Sequence, residues 1–208
     1  QKNGDTRLRP ASSLKLVTSA AALKLLGGNY RFKTEVYTDK KAVNGVLTGN
    51  LYLKGYGDPT LTTADLDKLS KQLKKKGIRK VKGNLVADDS WYDSTRLSLD
   101  LPWSDEQEYY GAQISGLTVS PDTDYDAGTV IIQVAPAAKE GKAPSIKVLP
   151  KTSHIKLSNK AKTGKADSKK TIKVTRKHGT NQLSITGSIP KNSSASKYWI
   201  AVENPTGY

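Results

Sequence analysis

The stretch RPASSLKLVTSAAALKLLGG, residues 9–28, decides how this chain is read. Leu14, Val17, Ala21 and Leu25 follow helical spacing, and Leu16, Leu23 and Leu26 widen the apolar stripe. Ser12 or Ser13 can cap the start, and Gly27-Gly28 marks the stop. A helix apolar over so much of its surface is expected to be buried. Ser12 and Lys15 lie three positions apart, so on a helix they share a face. A serine hydroxyl is a poor nucleophile until a base takes its proton. A lysine can be that base only when neutral, which burial and the positive end of a helix dipole both favour. The competing reading is an ordinary capping serine followed by a surface lysine.

S-x-x-K occurs four times, at Ser12/Lys15, Ser153/Lys156, Ser188/Lys191 and Ser194/Lys197, and only the first opens an apolar helix. Outward from it the period changes. Residues 32–38 and 45–55 alternate like strands around the turn DKKAVNG, and GYGDPTL (55–61) is a Gly/Pro turn. Residues 62–77 predict a second helix with threonine caps, Leu66, Leu69 and Leu73 on one face, and Gly77 as its stop. Residues 81–90 read as another strand. From about 117 onward, short strands alternate with Gly, Pro, Asn and Lys turns, the pattern of an all-β module. Within it, 158–170 shows no apolar periodicity and is expected to be an exposed loop.

Lys and Arg number 34 against 19 Asp and Glu, a net charge of +15, which attracts polyanions such as nucleic acid, anionic lipid or cell-wall polymers. The absence of cysteine excludes disulfides and thiolate metal sites. His154 and His178 stand far apart among basic residues, so a histidine metal site or a Ser-His-Asp triad is not expected, and each reads as a surface residue. No metal and no cofactor is implied. No apolar run approaches the roughly 18 residues of a membrane span.

Lys162-Thr163-Gly164 is the one K-T-G, and S-x-N is absent. In acyl-transfer enzymes built on S-x-x-K, K-T-G lies on a strand beside the nucleophile. Here it falls in the lysine-rich loop and reads as a chance match. Asp88-Asp89 ends a strand, where neighbouring side chains point to opposite faces and do not converge. LPWSDEQEYYGAQ (101–113) gathers Asp105, Glu106 and Glu108 with Trp103, Tyr109 and Tyr110 in an otherwise basic chain. Acids beside aromatics can line a pocket for a cationic, partly apolar group; a loop with surface acids is the alternative.

Taken in order, RPASSLKLVTSAAAL, GDPTL, GNLVADDSWYD, LPWSDEQEYYGAQISGLTVSPD and IAVENPTGY resemble the D-alanyl-D-alanine carboxypeptidase/endopeptidase family of penicillin-binding proteins, low-molecular-mass class C type. The resemblance implies an α+β multidomain fold. A piece of a β-lactamase-like catalytic domain would carry an inserted α+β domain, with a β-rich domain nested inside it. It implies catalytic-domain residues 1–35, a first inserted domain over 36–116 with a return at 198–208, and a nested all-β domain over 117–197. Ser12 would be the acylated serine and Lys15 the proton acceptor, acting on peptidoglycan stem peptides and trapped by β-lactams. Asp105 would bind the free amine of a diaminopimelate side chain, with Trp103 and Tyr110 as walls. Location would be extracytoplasmic, an anionic wall polymer is a further partner, and nucleic acid is not. The family's S-x-N and its own K-T-G are expected beyond Tyr208, so residues 1–208 alone are expected to be inactive. Two other readings are a β-lactamase-like hydrolase and a non-catalytic basic module that binds wall polymer or nucleic acid.

Overall fold

Two stretches with different burial needs sit side by side in this chain. A computed structural model describes residues 4–208, and its contacts group into the units Gln1–Phe32 and Lys33–Tyr208. In the first, a 3-10 turn over Ala11–Ser13 runs into helix α1, Leu14–Leu26. Gly27 ends it at φ 78°, open to glycine and costly for residues with a Cβ, and its N–H bonds the Leu23 carbonyl at 3.0 Å. No α1 residue is buried, and Leu16 and Leu25 are 74% and 81% exposed, which corrects the expectation of a buried helix. Burial needs a second layer, and among the described residues of this unit α1 is the one α-helix, with no strand beside it.

The second unit begins with strands β1 (Thr34–Thr38), β2 (Val46–Leu47) and β3 (Leu51–Gly55). Helix α2 (Thr63–Lys75), β4 (Lys80–Val81) and β5 (Leu85–Asp88) follow. The first turn lies at Asn44-Gly45, with φ of 50° and 80°, and sets Val43 against Val46. The expected single strand over 45–55 is two strands. Between them the Asp39 carboxylate accepts the Asn50 N–H at 2.9 Å, and a Cβ on Gly49 would meet that carboxylate at 2.1 Å. Residues 81–90 likewise divide between β4 and β5. β3 pairs antiparallel with β1 and parallel with β5, with α2 as the crossover. Leu66, Leu69 and Leu73 form the half-buried face of α2, as their spacing predicts. A capping box of Thr62 and Asp65 starts it.

The remaining strands are β6 (Thr129–Ala135), β7 (Ser145–Leu149), β8 (Lys156–Asn159) and β9 (Lys162–Gly164). β10 (Lys173–Arg176), β11 (Gln182–Thr186), β12 (Ser188–Pro190) and β13 (Ser196–Ala201) complete them. β6 lies between β13 and β7, and β11 between β10 and β8. Val130, Ile132 and Val134 of β6 pack in one cluster with Leu183, Ile185 and Ile189, all six fully or almost fully buried. Burial on this scale stabilises by about 1.5–3 kcal/mol per large apolar side chain.

The expectation of an exposed loop over 158–170 is corrected for 158–164, whereas residues 165–170 lie outside the strands and are largely exposed. β8 pairs parallel with β11, β9 pairs parallel with β12, and Ala161 and Thr163 are buried. Both strands are short, β8 buries none of its residues, and the buried positions here are Ala161, between the strands, and Thr163 in β9, so lysine dominates the pattern and hides the alternation. Lys162-Thr163-Gly164 is therefore on a strand. Its threonine hydroxyl points inward and accepts the Ala137 N–H at 2.9 Å.

Candidate active site

Two constellations carry the predicted chemistry, one in each unit. In the first, Pro10 leads into the 3-10 turn and Ala11 takes φ 45°, a left-handed conformation uncommon for a residue with a Cβ. Such a conformation costs roughly 1–2 kcal/mol and tends to mark functional turns. The next residue is Ser12. The Lys15 ammonium donates to the Ser12 hydroxyl at 3.1 Å, the contact expected from i, i+3 spacing at a helix start. Ser13, the other candidate cap, instead bonds its hydroxyl to the Pro10 carbonyl, and neither serine caps the helix through its side chain. Lys15 is exposed, so the burial that was expected to favour its neutral form is not provided within this unit. Sequence reasoning also missed Ala11, because nothing in an alanine announces a positive φ.

In the second unit, residues 101–113 fold as two short 3-10 turns, Trp103–Asp105 and Tyr109–Gly111. Gly111 is buried against the first turn, and a Cβ there would lie 2.1 Å from the Asp105 carbonyl oxygen. This close approach folds the segment back on itself and presents its aromatics. Trp103 is 74% and Tyr110 61% exposed. Tyr109 and Tyr110 meet edge-on at 5.3 Å. Desolvation, then the charges of Asp105 and Glu108, push the Tyr110 phenol above its usual pKa, so Asp105 and Tyr110 act on one another. Asp105 accepts the Ser104 hydroxyl at 3.0 Å, which leaves lone pairs for a further donor.

Trp103 leans the other way. Its ring meets His178 edge-on at 6.2 Å, and with Glu106, Gln107, Thr175 and Arg176 the pair lines a cleft of about 290 Å³. The Glu106 carboxylate lies 2.8 Å from His178 Nδ1. Arg176 is buried at the inward end of β10, where alternation places it two residues after Val174. Its guanidinium donates to the Glu106 carbonyl at 2.8 Å, the Thr180 carbonyl at 3.0 Å and the Glu203 carboxylate at 3.2 Å. Its main-chain N–H donates to the Gln107 side chain at 2.9 Å. Neither Arg176 nor His178 was legible as part of this site, because the acidic partners lie far away along the chain and come close only through tertiary packing, β10 and β13 being in separate sheets.

Asp88 and Asp89 do not converge. Asp88 bonds Ser90 and Lys54, which lower its pKa to about 2, whereas Asp89 bonds Thr206 at 2.5 Å and pairs with Arg96 at 2.7 Å. His154 donates to or accepts from the Glu203 main chain at 2.9 Å and is half-buried, not a free surface residue. Among the described residues no three metal-ligating side chains cluster, and no helix is long and apolar enough to cross a membrane.

Comparison with known proteins matches residues 1–208 to the sequence model of the D-Ala-D-Ala carboxypeptidase 3 (S13) family. A D-alanyl-D-alanine carboxypeptidase of Actinomadura sp. (strain R39) is 39% identical over 98% of this chain and 38% of its own length. The D-alanyl-D-alanine carboxypeptidase DacB of Haemophilus influenzae is 40% identical over 50% of this chain and 22% of its own length. The crystal structure of penicillin binding protein 4 (dacB) from Haemophilus influenzae superposes with a TM-score of 0.75 at 25% identity, covering 95% of this chain and 42% of that one. A second structure of that protein, complexed with a β-lactam, gives a TM-score of 0.63 at 24% identity, covering 94% and 39%. The chain thus spans well under half the length of these relatives.

Proposed function

Because the chain belongs to the D-Ala-D-Ala carboxypeptidase 3 (S13) family, we propose that it is the nucleophile-bearing part of a serine carboxypeptidase acting on peptidoglycan stem peptides. The observation that carries this reading is the 3.1 Å contact between Lys15 Nζ and Ser12 Oγ at the head of an apolar helix. Ser12 attacks the carbonyl between the two terminal D-alanines while Lys15, in its neutral form, takes the hydroxyl proton. The tetrahedral intermediate expels the last D-alanine, and water releases the acyl group from Ser12. A β-lactam acylates the same oxygen. Water is the acceptor whether a terminal D-alanine is released or a cross-link is opened, and the two activities differ in the leaving group the enzyme admits.

Asp105 takes the free amine of a diaminopimelate side chain, between Trp103 and Tyr110. Residues 1–35 belong to the catalytic domain, 36–116 with 198–208 to an inserted domain and its return, and 117–197 to a nested β-rich domain. The substrate lies outside the cytoplasmic membrane, and the +15 charge adds attraction to anionic wall polymer. Exposure of α1 and Lys15 supports a further point: residues 1–208 alone leave the lysine in water.

Intact-mass measurement after incubation with benzylpenicillin tests the reading. The full-length protein gains one covalent adduct, Ser12→Ala gains none, and isolated residues 1–208 gain none. An adduct that survives Ser12→Ala refutes the assignment.

A further inference from the structure

The acidic–aromatic segment is held from a distance. Local turn bonds run from the Glu108 N–H to the Asp105 carbonyl at 3.0 Å and from the Gly111 N–H to the Glu108 carbonyl at 2.8 Å, and the long-range ties to residues 106–108 come from β10, the turn after it, and β13. Arg176 fixes the Glu106 carbonyl and the Gln107 amide, His178 holds the Glu106 carboxylate, and the Ala201 N–H donates to the Gln107 carbonyl at 2.9 Å. Glu108 bridges to Ile200. The second 3-10 turn then folds back on Asp105 through Gly111. Asp105 and Tyr110 are held locally: Tyr110 is exposed, the Asp105 carboxylate accepts the Ser104 hydroxyl and faces the Tyr110 phenol, and the Asp105 main chain bonds Pro102 and Glu108.

We propose that Arg176 and His178 are positioning residues that set how selectively the Asp105 segment recognises a cationic side chain. This rests on the reading of Asp105 as the amine-binding group. Arg176 suits the task because its planar fork reaches several acceptors at once, here the Glu106 carbonyl, the Thr180 carbonyl and the Glu203 carboxylate. With its side chain only 2% exposed, it cannot swing away from them into water. His178 sits on the exposed turn between β10 and β11, where Gly179 takes φ 63°, and supplies both a 2.8 Å contact with the Glu106 carboxylate and an edge for the Trp103 ring. One turn of the β-rich region thereby fixes the main chain on one side of Asp105 and the wall residue on the other. A carboxylate must face an ammonium within a few tenths of an ångström to discriminate it, and a misplacement near 1 Å costs up to about a hundredfold.

The test uses the full-length enzyme and two stem peptides that differ only by the side-chain amine, with kcat/KM measured for each. The wild type prefers the amine-bearing peptide, and Asp105→Ala removes that preference. His178→Ala lowers the preference on the order of tenfold, mostly through KM of the amine-bearing peptide, with no change in Tm because His178 is 63% exposed. His178→Asn, which keeps a donor at the position of Nδ1, restores it. Arg176→Lys lowers it as well, and Lys177→Ala, which removes a charge from the same turn, leaves it unchanged. Unaltered preference in His178→Ala and Arg176→Lys, alongside a loss in Asp105→Ala, overturns the positioning role alone. No effect of Asp105→Ala overturns the amine-binding reading and this proposal with it.

Discussion

Replacing Glu203 by alanine isolates the most exacting electrostatic contact in the Lys33–Tyr208 unit. Arg176 is buried to 2% of its side-chain surface, and Glu203 supplies its countercharge at 3.2 Å. Its other acceptors, the Glu106 and Thr180 carbonyls, are neutral. Removing one partner of a buried pair costs about 3–5 kcal/mol, since the remaining charge stays desolvated. Glu203 is 31% exposed, so water enters the vacated space and the cost falls to the lower end, about 3 kcal/mol. In a chain of this size that lowers Tm by roughly 6–12 °C. Glu203 also accepts the Gln113 amide at 2.6 Å, so Gln113→Ala serves as the control for that neutral bond and costs about 1 kcal/mol. Thermal and urea unfolding followed by circular dichroism measure each variant. The double variant Arg176→Met/Glu203→Leu removes both charges and recovers most of the loss. A Glu203→Ala cost below about 1 kcal/mol, or a double variant equal to the sum of its singles, refutes the picture of a buried charge held by one carboxylate.

Two further outcomes follow from local geometry. Gly111→Ala places a Cβ 2.1 Å from the Asp105 carbonyl; the segment must shift, at a cost of about 1–3 kcal/mol, and selectivity for an amine-bearing peptide falls in the same kinetic assay. Asp65 accepts from Lys68 and from the Thr62 hydroxyl and N–H, which lower its pKa to about 2. A depressed carboxylate stabilises fully above its unfolded value near 4 and loses that contribution as pH falls toward 2. Asp65→Asn therefore costs about 1 kcal/mol at pH 7, and urea titrations show the difference from wild type closing between pH 4 and pH 2; a difference that persists at pH 2 counts against the ionised cap.

Periodicity made the helices legible. The Leu66, Leu69 and Leu73 face of α2 and its capping threonine could be read directly, because i, i+3, i+7 spacing and a cap are local signals. The place of Ser12 over Lys15 was legible for the same reason. Exposure of α1 was not, since burial depends on a second layer and not on the helix's own pattern. β9 was hidden because its one buried residue is Thr163, too small and too polar to mark a strand against six neighbouring lysines. Arg176 and His178 were hidden for a different reason. Their partners Glu106 and Glu203 come close through packing of separate sheets and of a turn onto them, and a single sequence carries no record of which elements pack together.

The position of β6 has a consequence for synthesis. Its register with β13 sets Thr129 against Ala201 and Val134 against Ser196, so the strand that contributes Val130, Ile132 and Val134 to the core waits for almost the last residues of this stretch to cover one of its edges. While a ribosome is still translating the residues between them, β6 pairs on its β7 side alone and shows a long apolar open edge. That interval is when the nascent chain is most open to intermolecular strand pairing. The intervening strands are crowded with lysines, and like charge of this kind opposes edge-to-edge pairing.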